Sequence, residues 1–364
     1  MTEKVRIGLI GTSWWAENFY LSNLQGYEGV ELAAICGRNQ ARAAELANKY
    51  GLARVYTDYQ ELLANRELDA AIVVTPEDLH YPMVMAALDA GLHVICEKPM
   101  AYTAAEAHEM LLKAEEAGVK HMVMFTNRWL PHYQAINRLL EDGFIGQPYH
   151  AYLHWPTGWG RYPEEKYYWH YDPRRAHGAL SELGAHIIDL ARWYFGEIAA
   201  VSANLASFGQ RFAPDGSIMT AANDSAFMIL DFANGAHASL HTSSVNLVGT
   251  GLKHTGQITI LHGLDGTLET CGDPWSNLPK FEIVGFRQGM EQAEMLAIPD
   301  DLLGGTDVHA PFDIFKKLPV GPRQFVDAIL NDKPIAPNFY DGYKVQRVIE
   351  AALESAKMGQ TVTL

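Results

Sequence analysis

The stretch VRIGLIGTSWWAE, residues 5–17, decides the fold class of the first third of the chain. An apolar, β-rich run ends at a glycine, and a helical pattern begins directly after it. Gly11, Ser13 and Ala16 occupy the three small positions of a dinucleotide-binding fingerprint, which serve a tight turn, a close backbone approach to pyrophosphate and helix–strand packing. The fingerprint is degenerate, because Ser13 replaces the usual second glycine, and an ordinary strand-to-helix turn is the alternative.

The pattern that continues from this stretch predicts a parallel sheet. Predicted strands cover residues 5–10, 31–36, 69–74, 93–96 and 121–125, and predicted helices cover residues 14–24, 41–49, 79–90 and 103–117. Strands that alternate with helices of this length are typical of βαβ units. We therefore expect an α/β fold for residues 1–126, a Rossmann domain with a doubly wound parallel sheet.

After residue 126 the alternation ends, and the pattern changes to successive strands. We predict helices at 133–141, 181–194, 322–331 and 341–358, strands at 149–155, 201–208, 225–232, 237–243, 257–261 and 267–270, and a loop over 272–320. Short turns that contain Gly or Asn between strands are typical of antiparallel sheets. We expect a second α/β domain over residues 127–364, with a large, mostly antiparallel open sheet and a C-terminal helix that packs against the first domain.

Composition limits the possible partners. The chain has 364 residues, 28 Lys and Arg against 43 Asp and Glu, and therefore a net charge of −15. So acidic a surface argues against nucleic acid or an anionic membrane as the partner. No apolar run has the length of a membrane span, the start lacks a signal-peptide pattern, and Cys36, Cys96 and Cys271 show no metal-ligand spacing. We expect a cytoplasmic protein without a metal site.

Ligands of an open parallel sheet bind beyond the carboxyl ends of its strands. The residues expected to contact a dinucleotide there are Gly11, Thr12, Ser13, Trp14, Trp15, Ala16, Arg38, Thr75, Pro76, His80, Glu97 and Lys98. Helix N-terminal N–H groups after Gly11 would face the phosphates. For the two tryptophans, aromatic packing is the alternative.

The end of the second predicted strand indicates the cofactor. The chain reads ICGRN at residues 35–39, without the acidic residue that would hold the ribose 2′-hydroxyl of NAD. Arg38 occupies that place, and a guanidinium can pair with a 2′-phosphate. The sequence therefore favours NADP over NAD, with a solvated arginine at a helix start as the alternative.

The stretch HVICEKPM, residues 93–100, places a lysine where a buried strand ends. Proline cannot continue a strand, so a turn with a solvated charge is the simple explanation. The alternative is functional. Lys98 would lie at the cofactor edge of the sheet, where its ammonium can hydrogen-bond a substrate oxygen.

The stretch HGALSELGAHIIDLARW, residues 177–193, adds titratable side chains to an apolar helix. Glu182, His186 and Asp189 fall at i, i+4 and i+7, on one helical face. Histidine can accept a proton near neutral pH, which makes His186 a candidate general base. A hydrogen-bonded structural histidine is the alternative.

These motifs together resemble the Gfo/Idh/MocA oxidoreductase family, named for glucose–fructose oxidoreductase and inositol dehydrogenase. The matching segments are IGLIGTSWWA, TPEDLHYPMVMAALDAGLHVICEKPMA, NRWLPHYQAINRLLEDGFIGQP, GALSELGAHIIDL and YDGYKVQRVIEAALESAKMGQTVTL. They span nearly the whole chain, and AGLHVICEKP is highly specific. The resemblance implies a Rossmann domain and a C-terminal domain whose open sheet is commonly an oligomer interface, and hence a homodimer or homotetramer.

The resemblance also implies an activity and its residues. Lys98 matches the lysine of the family's Glu-Lys-Pro motif, His186 its catalytic histidine and Asp189 a frequent acidic position; Glu182 occupies a position that is often Asp. The implied activity is NAD(P)-dependent hydride transfer at a hydroxyl or carbonyl carbon, with His186 as the base, oriented by Glu182 or Asp189, and Lys98 on the same oxygen.

Three alternatives to this activity are a nucleotide-responsive regulator without catalysis, a reductase of a non-sugar diol, ketone or imine, and an NAD-assisted glycoside-cleaving enzyme. A regulator requires neither Lys98 nor His186, so their presence argues against the first.

The substrate is expected to be a sugar, polyol or sugar derivative, mainly because of the resemblance. Residues 152–171 are rich in aromatic side chains, which suit the apolar C–H faces of sugars. The predicted substrate-binding residues are Arg128, Trp129, Trp155, Arg161, Tyr162, Trp169 and His186. Packing of a loop or of a subunit contact is the alternative for the aromatic residues.

Overall fold

The computed structural model describes residues 4–161, 167–248, 256–272 and 281–364. The chain forms two compact units, which consist of Met1–Phe125 with Phe312–Gln346, and of Thr126–Pro311 with Arg347–Leu364. Residues 312–346 thus return to the first unit, although they lie far beyond the first domain predicted from the sequence.

The first unit contains a six-stranded parallel sheet. Its strands are β1 (Val5–Ile10), β2 (Val30–Cys36), β3 (Arg54–Tyr56), β4 (Ala70–Val73), β5 (His93–Cys96) and β6 (His121–Val123). They are ordered β3-β2-β1-β4-β5-β6, and the described pairs are parallel. This is the order of a doubly wound Rossmann sheet, whose switch point lies between β1 and β4. The predicted fold class is confirmed.

Helices connect these strands, and local sequence signals define their ends. Those between β1 and β6 are Ala16–Leu21, Ser22–Leu24, Gln40–Tyr50, Tyr59–Leu63, Glu77–Leu79, His80–Asp89 and Ala104–Ala117, and the unit also contains Pro322–Leu330, most of Pro311–Lys317 and the start of Phe339–Met358. Thr103 and Glu106 form a capping box at the start of one helix, and Gly118 ends that helix with a φ of 65°. In the last helix, Gln346 Nε2 donates to Tyr102 O at 3.0 Å.

The second unit contains a nine-stranded sheet. Its strands are β7 (Pro148–Pro156), β8 (Ile198–Ala206), β9 (Ser225–Phe232), β10 (His237–Ser243), β11 (Gln257–Gly263), β12 (Gly266–Gly272), β13 (Glu282–Arg287), β14 (Glu294–Leu296) and β15 (Val362–Thr363). The order is β14-β13-β12-β11-β7-β10-β9-β8-β15. Among the described pairs, β7 with β10 is parallel and the others are antiparallel, which confirms the predicted mostly antiparallel sheet.

Two helices, Leu180–Gly184 and Ala185–Phe195, pack on one face of this sheet. The unit also contains helices Thr126–Trp129, Pro131–Glu141, Trp169–Tyr171 and Asp300–Leu303. Helix Ala185–Phe195 packs on β7 and β10. Side chains alternate accordingly along β9, where Met228 and Leu230 are buried while Phe227 and Ile229 are 54% and 56% exposed.

The other face, which we call the open face, carries aromatic and imidazole side chains. Strand register places Tyr152 and Ile229 in one row, and His154, His241 and Phe227 in the next. The His241 ring stacks on Phe227 with a centroid distance of 3.7 Å. Burial between such neighbours lowers the pKa of His241 to about 4. The centre of the open face therefore presents apolar and imidazole side chains, and the exposed carboxylates of Asp231 and Glu269 lie beside them on the same face.

The predicted loop over residues 272–320 is wrong for the described part of that segment. β13, β14 and two helices lie within it. Pro299 directly precedes helix Asp300–Leu303, and Pro311 is the first residue of the next helix. Proline is compatible with a helix start, because the first turn leaves its N–H groups without helical partners. Prolines that suggest a loop in the sequence therefore begin helices in the structure.

Candidate active site

The turn after β1 requires glycine at its first position. Gly11 has a φ of +132°, and a Cβ there would lie 2.1 Å from Val74 O. Gly11 N also donates to Cys36 O at 2.9 Å. The turn is thus packed tightly against the chain that leaves β4, at the switch point where dinucleotides bind in this fold.

Ser13 has a local structural role that the fingerprint pattern does not indicate. Its Oγ accepts a hydrogen bond from Ala16 N at 3.1 Å, and Glu17 N donates to Ser13 O at 3.1 Å. Ser13 is therefore the N-cap of the helix that follows the turn. Trp14 beside it is exposed, and its ring meets Phe312 edge-on at a centroid distance of 5.7 Å.

The predicted 2′-phosphate residue lies at the carboxyl end of β2. Arg38 is exposed and follows Gly37, and Asn39 caps helix Gln40–Tyr50 by accepting from Arg42 N. Thr12 packs against Gly37, where an added Cβ would lie 2.3 Å from its methyl carbon. The guanidinium is therefore carried by a short, ordered connection next to the fingerprint turn.

Glu97 follows β5 and is held by three donors. Its Oε1 accepts from Trp15 Nε1 and from Tyr20 Oη, both at 2.7 Å, and its Oε2 accepts from Lys98 N at 3.1 Å. Burial raises the pKa of Glu97, while the Lys98 charge and these hydrogen bonds oppose the increase. Tyr20 was not predicted, since nothing in the local sequence indicates a partner 77 positions away.

His80 lies at the start of helix His80–Asp89 and is fully buried. Its Nδ1 lies 2.8 Å from Pro99 O, and its Nε2 lies 2.8 Å from Thr75 O. Burial lowers the pKa of His80, and the two carbonyl oxygens oppose that change. Thr75 and Pro76 are half-buried beside it, at the carboxyl end of β4. Lys98 is half-buried between Glu97 and Pro99.

In the second unit, His186 lies on helix Ala185–Phe195 and is 6% exposed. The π-helical turn Leu180–Gly184 precedes this helix, and such turns are frequent at functional sites. The Trp155 ring lies 5.7 Å from the His186 ring, centroid to centroid. Glu182 lies in the π turn, and its Oε2 is 3.4 Å from His170 Nδ1. His170 was not predicted as a site residue, although it lies in the aromatic-rich segment of residues 152–171.

Asp189 and Arg128 form a buried, bidentate ion pair. Arg128 Nε and an Nη donate to the two carboxylate oxygens at 2.7 and 2.6 Å. The guanidinium also lies 5.4 Å from the centre of the Trp193 ring, and Trp129 is buried. Asp189 and Glu182 thus contact different partners. The roles of Asp189 as an orienting group and of Arg128 as a substrate ligand stay predictions.

The aromatic segment forms a layered arrangement. Trp159 is 46% exposed, and its ring stacks on Tyr171 at 5.6 Å. The Tyr171 ring also lies 3.9 Å from the guanidinium of Arg211. Trp169 stacks on the His170 ring at 3.8 Å. Of the other predicted substrate-binding residues in this segment, Arg161 is exposed, and Tyr162 lies outside the described residues.

Searches for two other kinds of site covered the same described ranges. There, no three His, Cys, Asp or Glu side chains are grouped so that they can hold a metal ion. No helix in that part of the chain is both long enough and apolar enough to cross a membrane.

A doubly wound parallel sheet with a tight glycine turn at its switch point is typical of dinucleotide-dependent enzymes. Comparison with known families agrees. Residues 5–125 match the oxidoreductase family, NAD-binding Rossmann fold, and residues 137–364 match the oxidoreductase family, C-terminal alpha/beta domain. The chain therefore belongs to the Gfo/Idh/MocA family, and the predicted enzyme class, an NAD(P)-dependent oxidoreductase, is confirmed.

Individual proteins resemble the chain over nearly its full length. D-Apiose dehydrogenase from Paraburkholderia graminis is 27% identical over 357 residues, which cover 98% of this chain and 88% of that protein. The scyllo-inositol 2-dehydrogenase (NADP+) from Bacillus subtilis is 26% identical over 380 residues, which cover 100% and 96%. The crystal structure of an oxidoreductase domain protein from Kribbella flavida has a TM-score of 0.86 at 28% identity and covers 99% of both chains.

Proposed function

We propose that this enzyme transfers a hydride between NADP(H) and a hydroxyl-bearing or carbonyl carbon of a sugar, polyol or sugar derivative. The observation that carries the proposal is the position of Lys98, directly after β5 at the carboxyl edge of a Rossmann sheet. Cofactor and substrate meet at this edge in the fold. The names of the relatives that act on D-apiose and scyllo-inositol support a carbohydrate substrate.

The described residues fit such a cofactor. The helix capped by Ser13 presents its N-terminus at the switch point, where a pyrophosphate binds. Arg38 is exposed at the end of β2, where it would pair with a ribose 2′-phosphate. The nicotinamide, when bound, accepts the hydride in oxidation and supplies it in reduction.

The protein residues manage the proton and the charge on oxygen. In alcohol oxidation the C–H bond breaks with its electron pair, the O–H proton leaves, and a C=O bond forms. We assign the proton to His186, whose buried ring lies beside Trp155. Lys98 donates a hydrogen bond to the same oxygen and stabilises its developing negative charge. In reduction, His186 returns the proton.

The decisive test is Lys98→Met. We expect unchanged cofactor affinity and a loss of most turnover, on the order of 100-fold or more, because the charge on oxygen loses its stabilising partner. Turnover is measured with an aldose or polyol that the wild-type protein oxidises in a screen. Lys316→Met, at an exposed lysine of helix Pro311–Lys317, is the matched control. Unchanged turnover in Lys98→Met would exclude the role assigned to Lys98.

Cofactor preference is tested by titration with NADPH and NADH, followed by nicotinamide fluorescence. We expect NADPH to bind more tightly, and Arg38→Ala to weaken NADPH binding about tenfold while NADH binding changes little, since the 2′-phosphate loses its charged partner. Arg66→Ala removes an exposed arginine from the turn before β4, at the opposite edge of the sheet, and serves as the control. Equal effects of Arg38→Ala on both cofactors would contradict the NADP assignment.

We also propose that the enzyme is a homo-oligomer that pairs through the open face. The exposed apolar side chains of that face, such as Phe227 and Ile229, support the proposal, because contiguous apolar patches of this kind mark interaction sites.

A further inference from the structure

The two neighbours of Lys98 in the chain are each held by a buried side chain from another element. His80 contacts Pro99, and Tyr20 contacts Glu97. We propose that His80 and Tyr20 are positioning residues, which determine where the Lys98 ammonium lies by fixing the backbone on both sides of it. This inference rests on the catalytic role proposed for Lys98.

The His80 side chain bridges the segments that follow two neighbouring strands, β4 and β5. Its ring nitrogens lie 2.8 Å from Pro99 O, which follows β5, and 2.8 Å from Thr75 O, which follows β4. Both carbonyl groups only accept hydrogen bonds, so a neutral ring donates to one of them and an imidazolium donates to both. Because the ring is fully buried, water does not compete for these contacts. The chain after Lys98 is therefore tied to the neighbouring strand end.

The contact of Tyr20 acts on the other side of the lysine. Tyr20 is fully buried, and its hydroxyl donates to Glu97 Oε1 at 2.7 Å. The second carboxylate oxygen accepts the backbone N–H of Lys98 itself at 3.1 Å. Trp15 Nε1 donates to the same Oε1 as Tyr20, also at 2.7 Å. Glu97 thus links the helix after the fingerprint turn to the amide of the catalytic lysine.

A lysine side chain has a long, flexible stem, so its backbone position decides which region the ammonium can reach. A displacement of about 1 Å in a catalytic group can lower a rate on the order of 100-fold. Two buried supports on adjacent residues restrict that displacement more than a solvated turn does. They also explain why a lysine follows a buried strand between a glutamate and a proline.

The test is a pair of double-mutant cycles. His80→Leu and Tyr20→Phe are made in the wild-type protein and in Lys98→Met, with His80→Gln as the conservative variant that keeps a donor. Turnover is measured with the aldose or polyol identified in the screen, and cofactor dissociation constants by nicotinamide fluorescence. His108→Leu, at an exposed histidine of helix Ala104–Ala117, is the control.

In the wild-type background we expect kcat to fall about 10- to 100-fold for His80→Leu and about threefold for Tyr20→Phe, with cofactor dissociation constants changed by less than about threefold. His80→Gln restores part of the loss. In the Lys98→Met background neither substitution lowers kcat further, because both act through the lysine. Equal losses in the two backgrounds would show a general structural role and overturn the inference.

A second measurement does not depend on the substrate. Lysines are dimethylated with ¹³C-formaldehyde and a reductant, and the Lys98 signal is assigned in NMR spectra by its absence from Lys98→Met. We expect one narrow Lys98 signal in the wild type. In His80→Leu, we expect that signal to move toward the chemical shift of the exposed lysines. An unchanged signal overturns the inference. If Lys98→Met retains full turnover, the proposed function fails, and this measurement alone decides whether His80 positions the lysine.

Discussion

Arg128 and Asp189 illustrate what a single buried contact contributes to this enzyme. Both side chains are nearly inaccessible to water, at 9% and 1% exposure, and their charges are paired through two short hydrogen bonds. An ion desolvated to this degree is tolerated only with its partner in place. Arg128 and Asp189 are therefore interdependent, whatever further part either takes in catalysis.

This pairing predicts a large loss of stability for Asp189→Asn, which leaves the Arg128 charge buried without a counter-charge. We expect the free energy of unfolding to fall by about 3–5 kcal/mol, measured by urea denaturation. The matched control is Asp301→Asn, which breaks the Arg138–Asp301 pair, whose side chains are 42% and 65% exposed. That change should have a much smaller effect on the free energy of unfolding, because solvent screens an exposed ion pair. Similar losses in both variants would contradict a special contribution of the buried pair.

At the same scale, the sequence indicated some candidate site residues and could not indicate others. Lys98 and His186 were predicted as site residues because each belongs to a motif of adjacent residues, and their roles stay predictions. Tyr20 and His170 were not, since their partners Glu97 and Glu182 are brought to them only by the folded chain. A residue that acts through a long-range contact leaves no local pattern.

At the scale of an element, the helix after β1 depends on its cap. Ser13 Oγ accepts from Ala16 N, and this bond satisfies one of the N–H groups that a helix start leaves without a partner. Serine at this place in the fingerprint is thus compatible with the turn, although it adds a Cβ. Serine in place of glycine restricts the backbone at this position, but its side chain caps the helix.

Substitutions at Ser13 should separate these two effects. Ser13→Ala keeps the Cβ and removes the cap, and we expect a loss of about 1 kcal/mol in unfolding free energy. Ser13→Gly should cost only a few tenths of that amount, because glycine is tolerated at N-caps. Thermal and urea unfolding of both variants provide the comparison. Greater destabilisation by glycine than by alanine would contradict the capping role.

The elements themselves were predictable to different degrees. The longer strands and helices of the first unit have clear periodicity and glycine stops, such as Gly118, and were predicted close to their observed bounds, whereas β3 and helix Tyr59–Leu63 were missed. β13 was missed because the prolines of the surrounding segment suggested a loop, although its own sequence, EIVGFR, contains β-branched and aromatic residues. The π-helical turn before His186 was also missed, since the local sequence repeats like an ordinary helix.

At the scale of the whole molecule, the open face predicts self-association. Phe227→Glu and Ile229→Glu place charges on β9, and we expect them to convert the oligomer into a monomer, because a buried charge without a partner opposes pairing. Size-exclusion chromatography with light scattering gives the mass. Leu112→Glu, at a 51% exposed leucine of helix Ala104–Ala117, is the control. A monomeric wild type, or an unchanged mass in both β9 variants, would contradict the proposal.

The edge of the nine-stranded sheet at β8 and β15 has a consequence for protein aggregation. β8 is nine residues long, and a bare edge of that length would offer free N–H and C=O groups to strands of other molecules. β15 pairs with Ala200 and Val201, Leu364 N donates to Ala199 O at 2.8 Å, and Ala203 N donates to Ser355 Oγ. These short contacts occupy the edge of β8, so the folded protein offers little template for amyloid-like strand addition there.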